Sequence, residues 1–121
     1  MKLENIKIVM VETTHPGNIG AAARAMKNMG MSRLVLVNPK CSIDEQSYAR
    51  ASGANQLLDE CDVVTTLPAA LTECELVVGT SARDRSLAWP ELPPDDVADK
   101  IYAVADTQQV ALVFGRENSG L

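Results

Sequence analysis

The sequence predicts an α/β fold, a mostly parallel sheet flanked by helices on both faces. Three observations predict it. Short apolar runs alternate with stretches of helical periodicity along the chain, the order in which parallel strands and crossover helices succeed one another. The apolar runs are rich in Val, Ile and Leu with little polar alternation, as strands covered on both faces are. Aromatic residues make up only 3% of the 121, so aliphatic side chains must fill a single core, which suits helices packed on a sheet better than a β-sandwich.

The elements follow in order. Ile6–Val11 is an apolar strand, ended by the turn-like His15-Pro16-Gly17-Asn18. From residue 18 to 29 the period lengthens: Ile19, Ala22, Ala23, Met26 and Met29 share one helical face, with Arg24, Lys27 and Asn28 on the other. Asn18 is the expected N-cap and Gly30 the expected stop. Residues 34–37 read as a buried strand closed by Asn38-Pro39. Ser42-Ile43-Asp44-Glu45 matches a capping box and should open a helix running towards Gly53. Residues 63–66 form the third expected strand, and Pro68 suits the first turn of a helix through Thr72. Residues 76–78 are a strand ending at Gly79-Thr80-Ser81. Asp95 is placed to cap a helix in which Val97, Ile101 and Ala105 share a face, and residues 110–114 are the last strand, closing on Gly115. No internal repeat breaks the chain, which reads as one domain over residues 1–121.

Composition bounds the chemistry. The formal net charge is −5 and the pI about 4.7, which by itself argues against nucleic acid. Placement tempers the sum, because Arg24, Arg83, Arg85 and Arg116 sit at expected strand ends or helix starts while the acids gather elsewhere. Cys41, Cys61 and Cys74 are widely spaced and His15 is the sole histidine, a poor ligand set for zinc. The odd cysteine count, with no secretory signal, points to a reduced cytoplasmic protein. No apolar run approaches the roughly 20 residues of a membrane span.

In open parallel sheets ligands bind beyond the carboxyl ends of the strands. That singles out residues 13–20, 38–40, 80–85 and 115–121. Pro16-Gly17-Asn18-Ile19-Gly20 opens a helix without being a Walker A or dinucleotide fingerprint, and Arg24 lies about 9 Å further along the axis. It fits equally a capping asparagine with a solvated arginine. Gly79-Thr80-Ser81-Ala82-Arg83-Asp84-Arg85 offers small residues, hydroxyls and two cations, or a polar turn with a surface ion network. Gly115-Arg116-Glu117-Asn118-Ser119-Gly120-Leu121 is a glycine-bounded polar loop, or a plain turn.

Together these residues resemble the SpoU/TrmH branch of the SPOUT RNA 2′-O-methyltransferases. Asn18-Ile19-Gly20-Ala21-Ala22-Ala23-Arg24 is similar to the family's first motif, and Gly115-Arg116-Glu117-Asn118-Ser119-Gly120-Leu121 to its second. Val77-Val78-Gly79-Thr80-Ser81-Ala82-Arg83, Leu87-Ala88-Trp89-Pro90 and the run from Val11 to Asn18 are similar to a tRNA-methylating subgroup. The resemblance implies S-adenosylmethionine-dependent methylation of a cytidine or uridine ribose in tRNA, at nucleotide 32 of the anticodon loop, by a cytoplasmic homodimer. It implies Arg24 and Asn18 as catalytic, Thr80, Ser81, Ala82 and Gly115 as cofactor-binding, and Arg83, Arg85 and Arg116 as RNA-binding. Gly20, Glu117 and Gly120 would shape the loops, and no metal would be needed. Because a guanidinium stays charged at neutral pH, Arg24 is expected to position the ribose and stabilise developing alkoxide charge rather than act as a base. The family's third motif, which contributes to its trefoil knot, is absent, so the chain is expected to be a truncated domain incomplete for activity. A non-catalytic α/β nucleotide-binding or regulatory module is the alternative, and a nicotinamide or flavin domain a weaker one.

Overall fold

The computed structural model describes residues 3–80 and 95–115. A 3-10 turn at Leu3–Asn5 leads into β1 (Ile6–Val11), α1 (Pro16–Met29), β2 (Arg33–Val37), α2 (Glu45–Ala51), α3 (Asn55–Asp59) and β3 (Asp62–Val64). α4 (Leu67–Ala70), β4 (Cys74–Thr80), α5 (Asp95–Ala105) and β5 (Gln109–Phe114) complete the chain. The five strands form one sheet in the order β3-β2-β1-β5-β4, and every pairing is parallel.

The strand order explains where the helices lie. A parallel crossover is right-handed, so steps in one direction along the sheet place their helices on the same face. β1 to β2, β2 to β3 and β4 to β5 all step the same way, and α1, α2, α3 and α5 accordingly bury one face. Its core joins Ile6, Ile8 and Met10 of β1 to Leu34, Leu36, Val110, Leu112 and Phe114, under Ile19, Ala22, Ala23 and Met26 of α1 and Ile101 of α5. The long return from β3 to β4 runs the other way, and α4 packs on the opposite face against Val9, Val35, Val37, Ala111 and Val113. Lys7 reaches into that second face, 7% exposed, and its Nζ donates to Ala70 O at the end of α4 (3.0 Å).

Several boundaries differ from expectation, among them α4, which ends at Ala70 rather than Thr72, and β4, which runs on to Thr80. α1 begins at Pro16 with extended His15 as its N-cap, so Asn18 lies in the first turn and does not cap. A proline suits the first helical position because it has no N–H to leave unbonded and its φ is preset, and here that outweighs a capping side chain. The capping box of α2 is centred on Asp44, not Ser42. Asp44 Oδ1 accepts from the N–H of Gln46 (2.9 Å) and Ser47 (3.3 Å), while Asp44 N–H donates to Ser47 Oγ (3.2 Å). The fully buried Ser47 hydroxyl also donates to Pro16 O (2.8 Å), so a contact between helices selects the frame. β3 ends at Val64 because Thr66 turns to cap α4, accepting from Ala69 N–H (3.4 Å). β4 starts at Cys74, two residues early, across a register irregularity between Cys74 and Leu76. Gly30 does stop α1, in the left-handed region at φ 80°, with its N–H directed to Lys27 O.

Candidate functional site

β1 and β5, the first and last strands in the chain, are neighbours at the centre of the sheet, and in open parallel sheets ligands bind beyond the carboxyl ends of the strands. Met10, Phe114 and Thr80 stand level across β1, β5 and β4, successive strands being about 4.8 Å apart. Thr80 is the last residue of β4, and Gly115, buried, is the first beyond β5. Two of the expected cofactor residues, 35 positions apart in the chain, are therefore neighbours at one rim. The turn from β1 into α1 leaves the same rim and carries Asn18 into the first helical turn.

That turn is moored at several points. Glu12 and Asn38 follow β1 and β2 directly, and both adopt left-handed backbone (φ 53° and 45°), a conformation costing of order 1–3 kcal/mol in a non-glycine residue. The cost is met by continued pairing: Glu12 N–H donates to Val37 O and Asn38 N–H to Val64 O, both at 2.8 Å. Asn38 Nδ2 donates to Glu12 Oε2 (3.4 Å). Thr13, 1% exposed, accepts at its carbonyl from Lys40 N–H (2.9 Å) and Cys41 Sγ (3.5 Å). With Ser47 holding Pro16 O, the loop is fastened from Glu12 to the start of α1, the kind of preorganisation a binding rim needs.

Arg24 is placed differently. Six residues separate it from Asn18, so the two project about 120° apart around the helix axis. Gly20, about 40° from Arg24, faces α2, where an added Cβ would stand 2.0 Å from Ser47 O. Arg24 thus shares the α2 flank of α1, exposed, while Asn18 lies on another flank. Gly20, expected in a loop, lies inside α1 and serves the contact between helices. Ser81, Ala82, Arg83, Arg85, Arg116, Glu117 and Gly120 lie outside the described residues.

Sequence reasoning missed Ser47, Glu12 and Lys7. Ser47 carried a usable signal, since it stands three residues after Asp44, the spacing of a box. Lys7 carried another, a lone cation within an apolar strand, which must find an acceptor when buried. Two displaced ionisations, at Tyr48 of α2 and at Cys61 before β3, lie apart from Thr80 and Gly115 in the chain. Tyr48 is pushed up by its hydrogen bond to Asp59 (2.5 Å), and Cys61 by burial and then by Asp62 and Asp59. Among the described residues, no group of three or more His, Cys, Asp or Glu stands together to hold a metal ion. No helix among them is long and apolar enough to cross a membrane.

Comparison with known proteins decides the family. The model of the SpoU rRNA methylase family matches residues 5–121, nearly the whole chain. The chain belongs to the SpoU rRNA methylase family. Within it, the chain is 53% identical over 120 residues to the tRNA (cytidine/uridine/adenosine-2′-O-)-methyltransferase TrmJ of Pseudomonas aeruginosa, covering 98% of this chain and 47% of that protein. Among solved structures, a "probable methylase family protein" from Haemophilus influenzae superposes with a TM-score of 0.82 at 51% identity, over 98% of this chain and 50% of that one. TrmJ from Zymomonas mobilis superposes at 0.79 with 34% identity, over 95% and 51%. The more distant AviRb of Streptomyces viridochromogenes, solved with AdoMet, shares the fold at TM-score 0.59 and 21% identity. The chain spans about half the length of the curated relatives it matches.

Proposed function

We propose that this chain supplies the cofactor-facing sheet and the catalytic arginine of a TrmJ-type tRNA 2′-O-methyltransferase. The substrate is the ribose of a cytidine or uridine in the anticodon loop, at nucleotide 32, and the methyl donor is S-adenosylmethionine. The full-length protein works as a cytoplasmic homodimer, with a knotted segment completing the domain that residues 1–121 begin. The observation that carries the reading is that Thr80, paired with Phe114, ends β4 next to Gly115 at one rim, beside a β1–α1 turn fastened by Glu12, Thr13 and Pro16. The names of the relatives add the substrate class.

The rim fits an adenosine-bearing sulfonium. Two adjacent strand ends offer main-chain polar groups, and Gly115 adds no Cβ that would keep a ligand from the backbone. When bound, that cofactor supplies an electrophilic methyl group with a neutral leaving group. Thr80 and Gly115, together with Ser81 and Ala82, bind it in this reading. Asn18, in the turn leaving the same rim, orients the ribose. Arg24 holds the adjoining phosphate and stabilises charge developing on the 2′-oxygen. Arg83, Arg85 and Arg116 engage further phosphates.

Methyl transfer to tRNA by the full-length protein, with Arg24→Ala and Arg24→Lys beside it, tests the reading. Loss of a preorganised charge of this kind lowers kcat about 100- to 1,000-fold. The melting temperature should stay within a degree or two, because Arg24 is exposed. Near-full activity of Arg24→Ala would remove its catalytic role. Calorimetry showing binding of NAD or ATP but not S-adenosylmethionine would overturn the function itself.

A further inference from the structure

The acidic balance of the chain does not extend to α1 or to the last turn of α2, the acids of α2 (Asp44 at its cap and Glu45) standing at its other end. α1 holds Arg24 and Lys27 and no acidic residue from Pro16 to Met29, and Arg50 stands in the last turn of α2. Arg50 leans across to α1. An added Cβ on Gly17 would lie 3.0 Å from Arg50 Nη1 and 3.3 Å from Gln46 Nε2, so both polar ends rest on the first turn of α1. Among the described residues no hydrogen bond or ion pair engages Arg24 or Arg50. Lys27 Nζ donates to Gly53 O (3.0 Å) and is exposed.

A guanidinium beside the first turn of a helix opposes the macrodipole, which is positive there and which α1 offsets with no acid of its own. If Arg50 served only the end of α2, it would turn to the carbonyls of that helix. It lies instead on the same flank of α1 as Arg24, about 10 Å away by helical rise from Gly17 to Arg24. Two multiply donating cations, unpaired among the described residues and on one flank, suit anionic groups of an extended polyanion. Lys27 continues the line.

We propose that the α1–α2 ridge is a track for the RNA backbone, with Arg50 and Gln46 gripping a phosphate neighbouring the one held by Arg24. The proposal rests on the reading that the substrate is RNA. It extends the site beyond the motif residues to α2. Arg50 touches no reacting atom, and its contribution is to binding and register.

The test is tRNA binding by the full-length protein across a salt series, with methyl transfer measured in parallel. Arg50→Gln should weaken binding several-fold and flatten the slope of log K against log salt by about 0.7 to 1, as loss of one phosphate contact requires. It should raise KM for tRNA and leave kcat at saturating tRNA near that of the parent, and Arg50→Lys should restore most of the slope. A parent-like slope and KM in Arg50→Gln, with an unchanged melting temperature, would overturn the track. So would a variant that shifts sedimentation from dimer to monomer while tRNA binding holds, since the ridge would then seat a second copy. Because the slope is read without methylation, an Arg50-dependent slope in a protein that transfers no methyl group would keep the track and discard the catalytic reading.

Discussion

Gly17 and Gly20 stand nearly one turn apart on α1, and both meet α2, but they differ in what a methyl group would strike. At Gly20 an added Cβ comes 2.0 Å from Ser47 O and 2.8 Å from Ser47 C, backbone atoms of the neighbouring helix that cannot swing aside. At Gly17 the obstacle is the far end of Arg50, at 3.0 Å. Gly20→Ala should force the helices apart, costing about 2–3 kcal/mol or more in urea unfolding, the upper end of overpacking penalties. Gly17→Ala should cost under about 1 kcal/mol, because an exposed side chain gives way and alanine favours a helix. Equal losses in the two variants would mean that α2 is not seated against Gly20. The same contact accounts for the glycine of the Asn-x-Gly motif on packing alone.

The elements that read correctly are those whose signal is entirely local. β1, β2 and β5 are buried on both faces, so each is an unbroken aliphatic run, and the end of α1 is a left-handed glycine. The misread boundaries are those settled by a partner distant in sequence. The box around Asp44 lies two residues beyond the expected one because Ser47 must reach Pro16, and α3, five residues long, has too few turns to show a period. The site divides in the same way. Strand pairing brings Thr80 beside Gly115, and the order of loops made that legible, whereas the orientation of Arg24 depends on which neighbour α1 turns each flank towards. Asp44→Ala tests the reassigned cap. It should destabilise the protein by about 1 kcal/mol, within the 0.5–2 range for a lost N-cap, while Ser42→Ala should leave stability within about 0.5 kcal/mol. The reverse ranking would restore the frame that begins at Ser42.

Across the whole molecule, stability should be graded from the centre of the sheet outwards, and the grading bears on the site. β1 is hydrogen-bonded on both edges, to β2 and β5, and the two cores meet on its opposite faces through Ile8 and Val9. No local motion exposes its amides without breaking both cores. β3 and β4 are edge strands, and Val63 and Val77 on them are 60% and 45% exposed. α2 is held chiefly by its own cap, by Ser47 on Pro16 and by the close approach at Gly20. Hydrogen exchange on the full-length protein should therefore find the β1 and β5 amides slowest, opening only with global unfolding, and the α2 and α3 amides faster by subglobal release. Opening of α2 would detach Pro16 from its moorings and carry Arg50 off the ridge, so protection of α2 should rise when tRNA binds while that of β1 stays at its ceiling. If α2 were already as protected as β1 in the free protein, the ridge would be a rigid part of the core and RNA could not order it further.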